Sequence, residues 1–271
     1  MNRIDQLFRE KKEGILSVYM TAGFPQLDDT TAIIRSLEAH GADLLEIGIP
    51  FSDPLADGPV IQRSSQVALA NGMTLRYLFK QLSGIRERVR IPLLLMGYLN
   101  PILRFGMERF LDHCVACGID GAIIPDLPLD EYESLYMMQF KKRHLHHVLL
   151  ITPQTPEERV RRIAKRSQGF IYMVAAASTT GVKDTINQEQ IDYFRRIGEM
   201  KLSTPRLIGF GISNRETFTT ACRYAQGAII GSAFIRMLEK QGYADRNVEA
   251  FIRSVRRGLS LIHISEPTRP Y

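Results

Sequence analysis

The chain has 271 residues, 45% of them hydrophobic, and a formal net charge of +6. That is enough apolar material for one large α/β barrel or two ordinary domains. No apolar run is long enough to span a bilayer, and the opening MNRIDQLFREKK is an amphipathic helix pattern without a signal peptide's apolar core, so a cytoplasmic protein with no membrane contact is expected. Lys and Arg are spread over helical segments. The densest run, KKRH at 141–144, has no interleaved aromatic residues and reads as a solvated helix end, not a nucleic-acid surface. A modest positive field would still attract a phosphorylated small molecule. Three cysteines, an odd number, exclude a simple disulfide framework. Cys114 and Cys117 share one face of a helical pattern and read as reduced thiols.

In chain order, the first helical pattern carries Leu7 and Phe8 as a small apolar face, placed as a lid over one end of a sheet. ILSVYM at 15–20 predicts strand one, and Asp28 and Asp29 can cap the helix TTAIIRSLEAHG that Gly41 stops. Strand two, at 43–47, carries Glu46. Two helical stretches follow at 60–70 and 74–86, broken at Asn71-Gly72. Strand three is LLLMGY, with a helix at 107–116. Strand four is GAIIPD, with a helix at 130–142. Strand five is VLLIT, preceded by His144, His146 and His147, and its helix begins at Pro156 with acids in the first turn. Strand six is FIYMV.

The period then lapses in AAASTTGVKDTINQ, a long loop in a chain of short ones, which marks it as functional or disordered. A helix at 190–200, strand seven (PRLIGFG), a helix at 214–221, strand eight (QGAIIG), a short helix at 233–238 and a last helix at 246–257 complete the set. Eight strand-then-helix units imply a parallel sheet and a (β/α)8 TIM barrel, with an extra N-terminal helix and a short helix after strand eight. A doubly wound sheet of two halves would need a composition shift or linker, and none is present. Residues 1–258 therefore read as a single domain. The run LSLIHISEPTRPY fits neither period and reads as a non-native tail at 259–271. Its removal is expected to leave activity and melting temperature unchanged, and a large loss of either would refute that reading.

The stretch LEIGIPFSDPLADGP organises the chain. A lone acid within an apolar strand, Glu46, is costly to bury unless it has a task. The loop after it holds Asp53 and Asp57 and is set in shape by its prolines and Gly58. Two acids in different environments are what acid–base chemistry at neutral pH requires; the bland alternative is a satisfied structural acid with two turn-formers. In such a barrel the strand carboxyl ends form the active face. Glu46, Asp57, Tyr98, Asn100, Asp126 and Tyr172 fall there. The glycines of GFGIS after strand seven and of Gly231-Ser232 after strand eight, ahead of a short helix, suit a phosphate group. No lysine sits where an imine would need it, and no residues stand at metal-ligand spacing, so metal and imine chemistry are disfavoured.

That block, with TAGFP, PDLP, GFGIS and GSA, resembles the tryptophan synthase α-subunit family over nearly the whole chain. The resemblance implies a carbon–carbon lyase that cleaves indole-3-glycerol phosphate to indole and glyceraldehyde 3-phosphate, with no metal or cofactor on this chain. It assigns Glu46 as general acid/base and Asp57 to the indole N–H. Tyr19 would line the indole pocket, where many members have phenylalanine, with Tyr98 and Tyr172 also at the substrate. Thr180 would close on Asp57 from the mobile loop, Gly181, Gly211, Gly231 and Ser232 would hold the phosphate end, and Phe210 would also touch the substrate. It also implies a pyridoxal-phosphate β-subunit partner in an α2β2 heterotetramer, met by the loop bearing Pro50, Asp53 and Pro54. Physics adds that Glu46 should have its pKa raised by burial, while Asp57 should stay ionised on a partly wet loop. The rival readings are an interaction subunit with feeble chemistry and another phosphate-binding barrel such as a sugar-phosphate isomerase.

Overall fold

The computed structural model describes residues 1–175 and 186–257. Among these residues eight parallel strands form one sheet: β1 (Ile15–Thr21), β2 (Leu44–Gly48), β3 (Leu93–Met96), β4 (Gly121–Ile123), β5 in two segments (His146–His147 and Leu149–Ile151), β6 (Ile171–Val174), β7 (Arg206–Gly209) and β8 (Gly227–Ile230). Each pairs with its sequence neighbour, and β8 pairs with β1. The two parts of β5 pair with β4 and β6 respectively. The Val148 N–H between them donates to Ala122 O at 3.0 Å, so the ring continues through β5. Strand followed by helix, with right-handed crossovers, leaves a parallel barrel as the compact solution.

The strand period of two sorts side chains into a lumen and an outer layer. Leu16, Val18, Met20, Leu45 and Ile47 face the surrounding helices. Ile15, Leu44, Leu94, Ile123, Leu207 and Ile229 fill the lumen. The N-terminal helix Arg3–Glu10 plugs the amino end of the barrel with Ile4 and Phe8, residues four apart on one face. The expected face of Leu7 and Phe8 is present and is extended one turn back by Ile4, with Leu7 partly buried against the same cluster. Asp29 stands at the N-cap of Thr30–Ala39 without a capping side-chain bond.

Three further local features differ from the sequence reading. His146 and His147 belong to β5 and do not precede it, and the His147 ring is buried against Tyr132 and Phe140 at 4.3 and 5.3 Å between centroids. The helix expected at 130–142 carries a π-helical turn, Tyr132–Tyr136, which periodicity does not reveal. A short helix, Leu99–Phe105, follows β3 despite Pro101, because proline is tolerated in a first turn. Among the described residues no helix is long and apolar enough to cross a membrane.

Candidate active site

Glu46 sits in the middle of β2, on the lumen side between Leu44 and Gly48, and is fully buried. Its Oε1 accepts a hydrogen bond from Ser17 Oγ of β1 at 2.9 Å. Its Oε2 is buried with no partner among the described residues. Burial disfavours the ionised form and pushes the carboxyl up to about 8, with the Ser17 hydroxyl pulling the other way. Glu46 therefore carries its proton at neutral pH and can release it within one unit of neutrality. That is the condition for an acid that must also act as a base.

Asp57 lies on the loop between β2 and the helix Pro59–Ala70. Main-chain bonds hold this loop: Asp57 N–H donates to Pro54 O at 3.0 Å, Leu55 N–H to Asp53 O at 2.9 Å, and Gln62 Nε2 to Asp57 O at 2.9 Å. The Tyr98 hydroxyl donates to Asp57 Oδ2 at 3.1 Å and accepts from the Ala56 N–H at 3.0 Å. Asp57 is half-buried on this partly wet loop, and desolvation pushes its pKa up to about 6 against the Tyr98 bond. It still ionises below neutrality, and the adjoining helix N-terminus favours its negative charge. Replacing Tyr98 with phenylalanine removes the donor, so the Asp57 pKa rises further. The expected result is a roughly 3–10-fold loss of kcat/KM, larger at about pH 6.5 than at about pH 8, measured on the substrate that the resemblance implies.

Tyr19 stands beside Glu46 in the β1–β2 register, and its hydroxyl lies over Gly48, where a Cβ would overlap it. Tyr172 is buried on β6, its hydroxyl lies over Gly209 in the same manner, and its ring meets Phe210 edge-on at 6.3 Å. Burial first, then the charges of Glu46 and Asp57, push both tyrosine hydroxyls up. Those four side chains therefore form one constellation at the carboxyl end of the barrel. Gly48 and Ser17 were not singled out by the sequence. The signal available for each was only its place in the strand alternation.

After β7, Phe210 and Gly211 take successive positive φ values of 68° and 75°. A phenylalanine held there is strained, a feature that clusters at functional sites. Ser213 Oγ, two residues on, is buried without a partner among the described residues. Gly231 is the N-cap of the helix Ser232–Gln241, so Ser232 opens a helix whose free N–H groups and dipole suit an anion. A Cβ at Gly231 would lie 3.3 Å from Tyr19 Cβ, which ties this turn to the same end of β1. Thr180 and Gly181 lie outside the described residues.

Asp126 accepts the Leu99 N–H at 2.8 Å and so caps the short helix beyond β3. Of the three loop residues expected at a partner surface, Asp53 is exposed, whereas Pro50 and Pro54 are buried in the isolated chain. Leu55 beside them is 90% exposed. A cavity of about 560 Å³ flanks this loop, lined by Pro50, Phe51, Arg76, Asn100, Arg104 and Arg109. Neither carboxylate lines it. Cys114, Cys117 and Cys222 are free thiols. Among the described residues no cluster of three or more His, Cys, Asp or Glu side chains could hold a metal.

Comparison with known proteins bears on this geometry. The family model for the tryptophan synthase alpha chain matches residues 6–259. The alpha chain of Flavobacterium johnsoniae is 54% identical over 256 residues, covering 94% of this chain and all of the relative. That of Bacteroides thetaiotaomicron is 53% identical over 241 residues, covering 89% of this chain and 94% of the relative. Among solved structures, tryptophan synthase subunit alpha from Legionella pneumophila superposes with a TM-score of 0.84 at 32% identity, over 95% of this chain and 98% of that one. The A-subunit from Pyrococcus furiosus gives 0.83 at 34% identity, over 90% and 98%. The chain belongs to the tryptophan synthase alpha-chain family.

Proposed function

We propose that Glu46 and Asp57 divide the work of the family reaction, the lyase cleavage of indole-3-glycerol phosphate to indole and glyceraldehyde 3-phosphate. Protonated Glu46 gives its proton to indole C3, which places a positive charge on the ring nitrogen. Ionised Asp57 accepts the N–H hydrogen bond and stabilises that charge. Glu46, now a carboxylate, takes the proton from the hydroxyl on the carbon bonded to C3. The O–H pair forms the aldehyde carbonyl, the C3–carbon bond breaks, and its pair restores the indole ring. Glu46 ends protonated, as it began, so the cycle balances without a cofactor on this chain.

The observation that carries this reading is the buried Glu46, protonated near neutrality, with one oxygen unpartnered among the described residues, at the end of the barrel where Tyr19 and Tyr172 feel both it and Asp57. Tyr19 and Tyr172 would enclose the indole ring. Phe210, Gly211, Gly231 and Ser232 would hold the phosphate, with Thr180 and Gly181 supplied by the loop after β6. The domain would span 1–258, with 259–271 an appended tail.

A tryptophan synthase β-subunit, carrying pyridoxal phosphate, would dock on the loop of Pro50, Asp53 and Pro54 in an α2β2 assembly in the cytoplasm. Exposed Asp53 and Leu55 and the arginine-lined cavity supply charge, apolar surface and shape for such a contact. Docking would order the loops around the substrate and raise turnover. The test is indole release from indole-3-glycerol phosphate by the purified chain, with and without a β-subunit. Slow release that rises sharply with the partner is expected; no indole in either case would sink the assignment.

A further inference from the structure

We propose that Ser17 is a positioning residue for Glu46: it holds Oε1, so that Oε2 is the atom that gives the proton to the substrate and takes it back. This inference rests on the acid–base reading of Glu46 given above. The strand period places Ser17 in the lumen, between inward-facing Ile15 and Tyr19, whereas most inward side chains around it are apolar. It is fully buried and donates to Glu46 Oε1 at 2.9 Å. The other carboxyl oxygen is equally buried and has no partner among the described residues. The two oxygens of one carboxyl are thus made unequal by a single hydroxyl on the neighbouring strand.

The chemistry makes use of that inequality. A carboxyl free to turn about its last torsion offers two equivalent oxygens in many orientations. Reaction at C3 and then at the adjacent hydroxyl needs one oxygen held near both, since a misplacement of about 1 Å can cost on the order of 10²-fold in rate. The Ser17 bond also stabilises the ionised form, which opposes burial and lets the acid release its proton.

Titratable groups facing Glu46 are Tyr19 on β1 and Tyr172 on β6, both of which also feel Asp57 on the loop after β2. Both tyrosines are pushed further above neutrality and stay uncharged through the working range, and Asp57 titrates lower, near 6. The alkaline side of the pH profile therefore reports Glu46 alone.

The experiment compares Ser17→Ala, Ser17→Thr and Glu46→Gln with the unaltered chain, all with the β-subunit present, by indole release. Ser17→Ala deletes one oxygen and leaves the volume nearly unchanged. The expected kcat loss is roughly 10–100-fold with KM within about twofold. The alkaline limb of kcat/KM should move up by about one pH unit, because the ionised form has lost its donor. Ser17→Thr, which keeps the hydroxyl, should recover kcat to within about threefold and return the limb. Ser17→Ala with unchanged kcat and limb, alongside an inactive Glu46→Gln, would overturn the role of Ser17 and leave Glu46 in place. A kcat loss without a limb shift, and without rescue by threonine, would reduce Ser17 to a packing residue. An active Glu46→Gln would instead remove the acid–base reading, and the Ser17 inference with it.

Discussion

Glu46→Gln is expected to lower indole release by about 10²–10⁴-fold, the usual worth of general acid–base catalysis, while making the folded chain more stable. Glutamine keeps the shape and can accept the Ser17 hydrogen bond, but it cannot carry the proton. The gain in stability follows from linkage. The folded Glu46 titrates near 8 and the exposed group near 4.5. Above about 4.5 the unfolded carboxyl sheds its proton into water, while the folded one holds it. The burial of Glu46 therefore destabilises the fold increasingly from about pH 4.5 to about pH 8, and is nearly free below that window. Glutamine removes the cost, so the variant should gain on the order of 2–4 kcal/mol at about pH 8 and under about 1 kcal/mol near pH 5. Urea unfolding at the two pH values checks the sign. A gain that does not grow with pH, or an activity loss under about tenfold, would count against the assignment. Lower stability retained for the sake of activity is a common feature of catalytic sites.

Asp57→Asn is expected to reduce kcat by about 10²-fold or more, with a smaller change in KM. The asparagine carbonyl can still accept the indole N–H, so ground-state binding survives in part. It offers no negative charge to the ring nitrogen when C3 is protonated, and that charge exists only after the proton transfer. An interaction that appears only on the way to the transition state acts on kcat. Asp57→Ala should lose more, because the Tyr98 hydroxyl is left beside the site without its acceptor. In Asp57→Asn the enzyme-derived acid limb near pH 6 should also vanish. Turnover within about threefold of the unaltered chain would return Asp57 to the status of a turn residue.

The barrel was legible because the strand and helix periods alternate without a break, which leaves few topologies. Glu46 was legible for a related reason: a carboxylate within an apolar strand conflicts with its surroundings, and such conflicts mark sites. The rest needed the third dimension. Ser17 is one small polar residue in ILSVYM, and only the closure of β1 onto β2 brings its hydroxyl to the acid. Gly48 carried no signal and Gly209 read as part of a phosphate turn, until the tyrosine hydroxyls are seen above them. The partner that holds Asp57 was not legible: Tyr98, 41 residues away, donates to it only in the fold. Pro50 and Pro54 were placed at a partner surface by the resemblance, and both are buried in the isolated chain. The π-helical turn at Tyr132–Tyr136 comes from backbone hydrogen bonding that side-chain periodicity does not encode.

The central claim is that a carboxyl sealed inside β2 enters the reaction protonated at neutral pH. The most direct test is the pH dependence of kcat/KM for indole release by the unaltered chain, between about pH 5 and about pH 10. The substrate phosphate titrates near pH 6, as Asp57 does, so the acid side is shared, but the alkaline side belongs to the enzyme. The account predicts a fall in rate above about pH 8, tenfold for each further unit, as Glu46 loses its proton. A rate that stays level to about pH 10 would contradict it, and Glu46 would then be an acid that the barrel merely encloses.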